Sequence, residues 1–456
     1  METSFTLEQL RDGRLKEADE ILRRCVHCGF CTATCPTYLL LGDERDSPRG
    51  RIYLIKSMLE GKAAPRQIRP YLDRCLSCYS CMTTCPSGVD YMHLSDYARQ
   101  IVEKSAMRPP QDESKRKLLR NILPYPRRFR LALLLLLAAR PFRRLLRRSR
   151  FALLSTVLDL APQSRLPRGE YSQPQTVKTK KARRGRVLLL SGCVQRVLRP
   201  DLNDATVRFL NHLGYDVTLS EGEGCCGALT LHMGKESHAK AFAKRNIDAW
   251  HGQRQRGGPF NAIVVNASGC GTTVKDYCHL FAGDPAYAEK AKYVSSLAKD
   301  IAEFAASEKI DAPVGWSDIR VAYHSACSMQ HAQKIGEEPR QLLRNAGFTV
   351  LEIPEGHICC GSAGSYNLLQ PDLAKQLKER KLAAIASARA DCVATGNIGC
   401  MTQLLGGPTP VVHTVELLDW AYGGPCPEPL KHLQPRVHPL PREGETVDDD
   451  EEYEAA

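Results

Sequence analysis

The sequence predicts an α+β protein in which an α-helical N-terminal domain is followed by two α/β repeat domains. Three observations carry this. Between residues 25 and 85 eight cysteines fall into two groups of identical internal spacing. From residue 187 onward, short β-rich runs such as RVLLLSG, YDVTLS and NAIVVNAS alternate with helical stretches such as DLNDATVRFLNHLG, the pattern of parallel strands covered by helices. That second half also repeats itself: SGC, EGEGCCG and NASGCG are echoed by SAC, EGHICCG and GNIGC, which points to a pseudo-symmetric pair of domains.

The bounds are set by composition. A chain of 456 residues with 43% apolar residues is globular and has room for two or three cores. Nineteen cysteines in a chain this long, behind the charged amphipathic start METSFTLEQLRDGRLKEADE, do not describe a small disulfide scaffold. They are expected as reduced, cytoplasmic thiols used for metal or redox chemistry. The expected boundaries are a two-cluster domain at 1–105, a basic helical segment at 106–160, a Pro/Ser/Gln-rich linker at 161–186, repeat domains at 187–310 and 311–425, and an acidic tail at 426–456.

Within the first domain, Cys25, Cys28, Cys31 and Cys35 followed by Pro36 read C-x2-C-x2-C-x3-C-P, and Cys75, Cys78, Cys81 and Cys85 followed by Pro86 read the same. This is the bacterial two-cluster ferredoxin spacing. Thiolates at every third residue wrap three corners of an iron-sulfur cube, and the fourth cysteine, at the start of the next segment, is carried to the other cube. The expectation is therefore a ferredoxin-like domain with two [4Fe-4S] clusters, one on Cys25, Cys28, Cys31 and Cys85, the other on Cys75, Cys78, Cys81 and Cys35. Zinc prefers paired C-x2-C sites and fits the triple spacing poorly. His27 is expected as a neighbour rather than a ligand. Between the loops, Ser47-Pro48 and the spacing of Ile52, Leu54, Ile55, Met58 and Leu59 predict a capped amphipathic helix that shields the clusters. Its Arg49 and Arg51 are placed to tune reduction potential, although solvated arginines fit the pattern equally well.

In the repeats, each adjacent cysteine pair begins 32 residues after the first cysteine of its copy. One copy offers Cys193, Cys225, Cys226 and Cys270; the other offers Cys327, Cys359, Cys360 and Cys400. Neighbouring cysteines do not form a relaxed disulfide, so each pair suits a metal or cofactor better than redox cycling. Two readings stay open: a further cluster in at least one repeat, or buried structural thiols around a partner or quinone site. Cys278, Cys392 and Cys426 lie outside the repeat and are expected to be ordinary core or surface residues.

The phrases CVHCGFCTATCPTYLLLGDERDSPRGRIYLIK and DRCLSCYSCMTTCPSGVDY, followed by two CCG repeats, resemble the iron-sulfur subunits of glycolate oxidase (glycolate dehydrogenase). These stand beside the corresponding subunits of lactate, glycerol-3-phosphate and heterodisulfide oxidoreductases. The resemblance runs to about residue 425. It implies a membrane-associated complex in which FAD-bearing partner subunits oxidise glycolate to glyoxylate while this chain relays the electrons toward a quinone or the respiratory chain. Heterodisulfide-reductase relatives close each repeat with C-x2-C, where this chain has Ala267 and Asn397. A large non-cubane cluster is correspondingly in doubt, and so is the alternative that the chain is a self-contained reductase acting through its repeat thiols. D-lactate or glycerol-3-phosphate remain alternative fuels for the partner.

The sequence itself agrees with a relay that has no catalytic residues of its own. No G-x-G-x-x-G follows a strand, and Cys193 stands where a dinucleotide fingerprint needs glycine. The net charge of +12 is uneven: the tail VDDDEEYEAA is acidic, whereas residues 120 to 150 carry ten arginines. The apolar run 131–139 in that stretch is too short to cross a bilayer, which needs about 20 residues. Arginines flanking a short apolar helix fit peripheral contact with the inner face of the cell membrane, or equally a hairpin packed on the first domain. Nucleic acid is not expected, since no aromatic stacking residues interleave with the arginines.

Overall fold

The computed structural model describes residues 1–105, 107–138 and 166–439. The N-terminal domain is a set of short helices joined by the two cysteine loops: α1 (Gly13–Arg24), α2 (Pro36–Leu41), α3 (Pro48–Leu59), α4 (Pro65–Asp73), α5 (Ser80–Thr84) and α6 (Tyr91–Ser105). Each loop ends at a Cys-Pro step. Cys35 caps α2 and Pro36 takes its first turn, where a missing N–H costs nothing. The expected helix between the loops is α3: Ser47 caps it by accepting from Gly50 N at 3.0 Å, and Ile52, Ile55 and Met58 are buried on its inner face. They pack with Leu22 of α1, Ile68 and Leu72 of α4 and Leu94 and Ala98 of α6 into one core.

A helical hairpin follows, α7 (Pro110–Ile122) and α8 (Pro126–Ala138). Helix α8 buries Phe129, Leu133 and Leu136 on one stripe at helical spacing and leaves Leu131, Leu134 and Leu135 exposed on the other. The remainder of the basic segment, with Arg140 to Arg150, lies outside the described residues.

The two repeats are α/β. The first sheet comprises β1 (Gln175–Val177), β2 (Gly185–Leu189), β3 (Tyr215–Leu219), β4 (Ala262–Val265) and β5 (Ala298–Asp300) in the order β1-β3-β2-β4-β5. All neighbours are parallel except β1. A two-stranded antiparallel ribbon pairs β6 (Gly315–Ser317) with β11 (Val437–Pro439). The second sheet comprises β7 (Arg320–Tyr323), β8 (Thr349–Leu351), β9 (Cys392–Thr395) and β10 (Val411–His413), all parallel, in the order β10-β9-β7-β8. Apolar runs with both faces covered, such as the fully buried AIVV of β4, are what parallel strands require. The repeats share a core spanning both sheets. They are also locked by the ion pairs Arg199–Glu416 and Arg208–Asp419, each 2.6 Å. Among the described residues no helix is long and apolar enough to cross a membrane.

Two expected boundaries need correction. The linker at 161–186 is not a free connector over its described part. Leu166 is buried against Phe129, Leu133 and Val197, and Gln175–Val177 form an edge strand antiparallel to β3. An edge strand needs only one paired side, so a polar stretch without a buried face serves, and Thr176 Oγ1 meets Thr218 Oγ1 at 3.0 Å across the pair. The acidic tail likewise does not begin at 426. Leu430 and Leu433 are buried in the shared core, and the chain continues into β11 before the acidic run, which lies outside the described residues.

Candidate iron-sulfur centres and thiol sites

The two N-terminal loops have the same backbone trace. His27 and Gly29 of the first loop have φ of 57° and 89°, and Ser77 and Tyr79, at the matching positions of the second, have 51° and 60°. Left-handed residues alternating with ordinary ones turn successive N–H groups toward a common centre, a concavity that suits an anionic cluster. Side chains pay strain to sit there, so the repeated conformation at three non-glycine residues is itself a fit to the group that the spacing predicts. Cys25, Cys28, Cys31 and Cys85 line one small cavity together with Cys81.

The second loop is more enclosed. Burial pushes the thiols of Cys78 and Cys81 well above their ordinary value, with Cys35 among the neighbours that raise both. Cys35 Sγ itself receives Arg51 Nη1 at 3.8 Å. The Arg51 guanidinium is buried and is held by Asp46 Oδ1 at 3.0 Å and the Tyr71 carbonyl at 2.8 Å. Burial raises the Cys75 thiol, but the Arg51 and Arg99 guanidiniums outweigh it and leave Cys75 below its usual range. Tyr91 adds an O–H donor to Cys75 Sγ at 3.7 Å. Arg49, by contrast, lies over the first loop near the surface, pairs with Glu44 at 2.6 Å and leaves no room for a Cβ at Gly29.

In each repeat the thiols gather at the carboxyl ends of three adjacent parallel strands, where ligands collect in α/β sheets. Cys193 follows β2, Cys225 and Cys226 follow β3, and Cys270 follows β4; Cys327, Cys359, Cys360 and Cys400 follow β7, β8 and β9 in the same way. Cys193 Sγ donates to Cys225 Sγ at 3.7 Å. The glycine of each CCG has a structural cause: Gly227 and Gly361 have φ of 94° and 87°, and a Cβ would lie 3.0 Å from the Ala239 carbonyl oxygen and 2.7 Å from that of Ala374. Each glycine also donates its N–H at 3.4 Å to the first thiol of its pair, Cys225 or Cys359. The repeats diverge at the second thiol of the pair. Cys226 is raised well above its ordinary value, whereas hydrogen bonds from Cys359 and Cys400, with the His324 imidazole beside it, hold Cys360 well below.

All eight repeat thiols open onto one cavity of about 680 Å³, and Cys75 and Cys78 of the second loop line it too. Cys78, Cys327 and Cys359 pack in a single apolar cluster with Leu76 and Tyr366. The hairpin roofs the space with Leu119, Leu133 and Leu136. Of the remaining cysteines, Cys392 is buried in β9, Cys278 is exposed and Cys426 is half-buried. Sequence reasoning missed Tyr91 and His324, which no motif marks, and although a packed hairpin is one of its two readings of the basic segment, it does not place that hairpin over the repeat thiols.

Comparison with known proteins agrees with this layout. A family model described as a 4Fe-4S dicluster domain matches residues 21–89, and one described as a cysteine-rich domain matches 187–275 and again 321–405. The glycolate oxidase iron-sulfur subunit of Escherichia coli (strain K12) is 43% identical over 426 residues, covering 92% of this chain and 99% of that protein. The chain belongs to the glycolate oxidase iron-sulfur subunits. The probable glycolate oxidase iron-sulfur subunit of Bacillus subtilis (strain 168) is 30% identical over 93% of this chain and 99% of its own length. Lactate utilization protein A of Bacillus licheniformis is 27% identical and aligns with 51% of this chain. A crystal structure of a hypothetical protein from Helicobacter pylori, 11% identical, shares the fold with a TM-score of 0.52 over 93% of this chain and 76% of that one. The expected α+β architecture and two-cluster domain thus agree with the family, which places this chain among oxidoreductase subunits.

Proposed function

We propose that this chain is the electron-transfer subunit of a glycolate dehydrogenase complex. FAD on partner subunits takes two electrons and two protons from glycolate, leaving glyoxylate, and this chain conducts the electrons toward a quinone or another respiratory acceptor, where a quinone taking two electrons and two protons becomes a quinol. Cys25, Cys28, Cys31 and Cys85 hold one [4Fe-4S] cluster; Cys75, Cys78, Cys81 and Cys35 hold the other. Clusters bound there supply one-electron carriers. The chain's own residues position and shield them, with Arg51, Arg99 and Tyr91 supplying positive charge and donors at the second loop.

The observation that carries this reading is the shared cavity, because it puts the second cysteine loop and both repeat thiol sets on one apolar space. The opposite end of the domain is open: Cys28 is exposed, as are Val26 and Phe30 in the first loop. That end suits docking of a flavin subunit. At the cavity end, the bare leucines of α8 stand beside exposed Arg127 and Arg128, which fits peripheral contact with an anionic membrane surface and entry of a lipid-soluble quinone. The repeat thiols are ligands for a further cluster in at least one copy.

The test is anaerobic purification of the full chain with and without the co-expressed flavin subunits. The chain alone is expected to carry at least eight irons and eight acid-labile sulfides and to leave glycolate untouched. Adding the flavin subunits is expected to make its clusters reducible by glycolate. Stoichiometric zinc without sulfide in the N-terminal loops, or glycolate oxidation by the flavin-free chain, refutes the relay. Faster reduction by D-lactate than by glycolate transfers it to another 2-hydroxy acid.

A further inference from the structure

The two repeats are alike in their thiols but differ one residue before the S-x-C that opens each copy. The first repeat has Leu190 there and the second has His324. His324 directly follows β7, and its backbone N–H donates to the Ala394 carbonyl of β9 at 2.9 Å. This bond fixes the residue at the carboxyl edge of the sheet, above the thiols. His324 is 1% exposed, and among the described residues neither ring nitrogen has a hydrogen-bond partner of good geometry, the Cys360 thiol being the group it lies against. A buried imidazole can normally satisfy one donor and one acceptor, and leaving both unmade is costly unless something else engages the ring.

The surroundings indicate what engages it. A ring nitrogen of His324 and the Sγ atoms of Cys360 and Cys400 all lie within 4.8 Å of one another, and all three residues are buried. Nitrogen and thiolate donors around a common point are the ligand chemistry of zinc and of iron-sulfur centres in which histidine replaces a cysteine. Asn397 occupies the position where the full repeat would supply a further cysteine, and its Nδ2 donates to Cys400 Sγ at 3.5 Å. Asn397 therefore orients a thiol without replacing the missing donor. In the first repeat Ala267 is the counterpart of Asn397 and buried Leu190 that of His324, so no nitrogen donor is present at either place.

We propose that His324 is a metal ligand, and that with Cys360 and Cys400 it defines a mixed histidine-thiolate centre in the second repeat with no equivalent in the first. The neighbouring thiols Cys327 and Cys359 are available to complete the set. This rests on the reading that a repeat holds metal, and it adds which repeat and which nitrogen.

The test uses the full chain purified anaerobically, grown with and without ¹⁵N-histidine, together with His324→Leu, which copies the first repeat, and His324→Cys, which keeps a ligand. Metal and acid-labile sulfide analysis separates the two possible occupants, since loss of one zinc per chain identifies an ion and loss of iron with sulfide identifies a cluster. His324→Leu is expected to lose that complement, whereas His324→Cys retains it. If iron is present, the reduced wild type shows a directly coordinated histidine nitrogen in pulsed EPR, changed by the isotope and absent from both variants. If zinc is present, X-ray absorption shows a nitrogen in its shell that His324→Cys replaces with sulfur. Metal in the second repeat without a histidine nitrogen in the wild type overturns the role of His324 alone. A chain with metal only in its N-terminal loops overturns both readings. The isotope measurement is made on unmutated protein, so a folding defect in either variant does not affect it.

Discussion

The guanidinium of Arg51 donates from Nη1 to Sγ of Cys35 across 3.8 Å while Asp46 and the Tyr71 carbonyl hold it from behind. A buried cation aimed at a thiol sulfur stabilises the more negative, reduced form of a cluster bound through that sulfur. Arg51→Gln is expected to lower the potential of the cluster on the second loop by about 50 mV, a differential interaction of about 1 kcal/mol. Arg51→Lys should recover part of the shift. Redox titration followed by EPR checks both, and an unchanged potential in a folded Arg51→Gln protein contradicts the role.

The exchange of fourth ligands is tested separately. Cys35→Ser should disturb the EPR signal of the cluster on Cys75, Cys78 and Cys81 and spare that on Cys25, Cys28 and Cys31. Cys85→Ser should do the reverse. If each substitution damages only the loop in which it lies, the crossed ligation is wrong.

The glycine of each CCG predicts a stability cost. Gly361→Ala combines a left-handed φ of 87° with a Cβ 2.7 Å from a backbone oxygen, whereas at Gly227 the corresponding contact is 3.0 Å. Urea denaturation should show a loss of about 2–3 kcal/mol for Gly361→Ala and somewhat less for Gly227→Ala. Equal stability in both variants and wild type would remove the steric account.

The contact between the first domain and the first repeat should depend on pH. His93 donates between Asp90 and Asp276 at 2.6 and 3.0 Å, stacked on His279, which pairs with Glu17. Burial works against its charge, but hydrogen bonds to Asp276 and Asp90 raise the imidazole to about 10. A raised pKa means that the charged pair contributes in full below about pH 6.5, the ordinary value, and is lost as pH climbs through about 10. Hydrogen exchange across α6 is expected to accelerate between those values, with a loss of about 2 kcal/mol. His93→Gln should be weaker at pH 6 and nearly insensitive to the rise.

Electron delivery should depend on the cavity. Cys226→Ala and Cys360→Ala are expected to leave the two N-terminal EPR signals nearly intact while slowing quinone reduction severalfold more than reduction of a dye that accepts at the first loop. Wild-type rates with both acceptors in a folded double variant would make the repeats scaffolding.

The cysteine loops were legible because their signal is local. Three thiols at spacing three, a closing Cys-Pro step and a capped helix between them are properties of a few consecutive residues, and the same is true of the strand-helix alternation that marked the repeats. The edge strand at Gln175–Val177 was not legible, because a polar segment becomes a strand only when β3 offers its open side. His324 was equally silent in the chain: Cys360 and Cys400, which lie beside it, come from the segments that follow β8 and β9, brought to it by the order of β7, β8 and β9 in the sheet. The sequence by itself therefore determined which thiols are grouped and at what spacing. Tertiary structure alone decided that both repeat sets and the second N-terminal loop face one apolar cavity beneath the α7–α8 hairpin, because packing between distant segments, rather than any local pattern, sets which strand ends and helix faces meet.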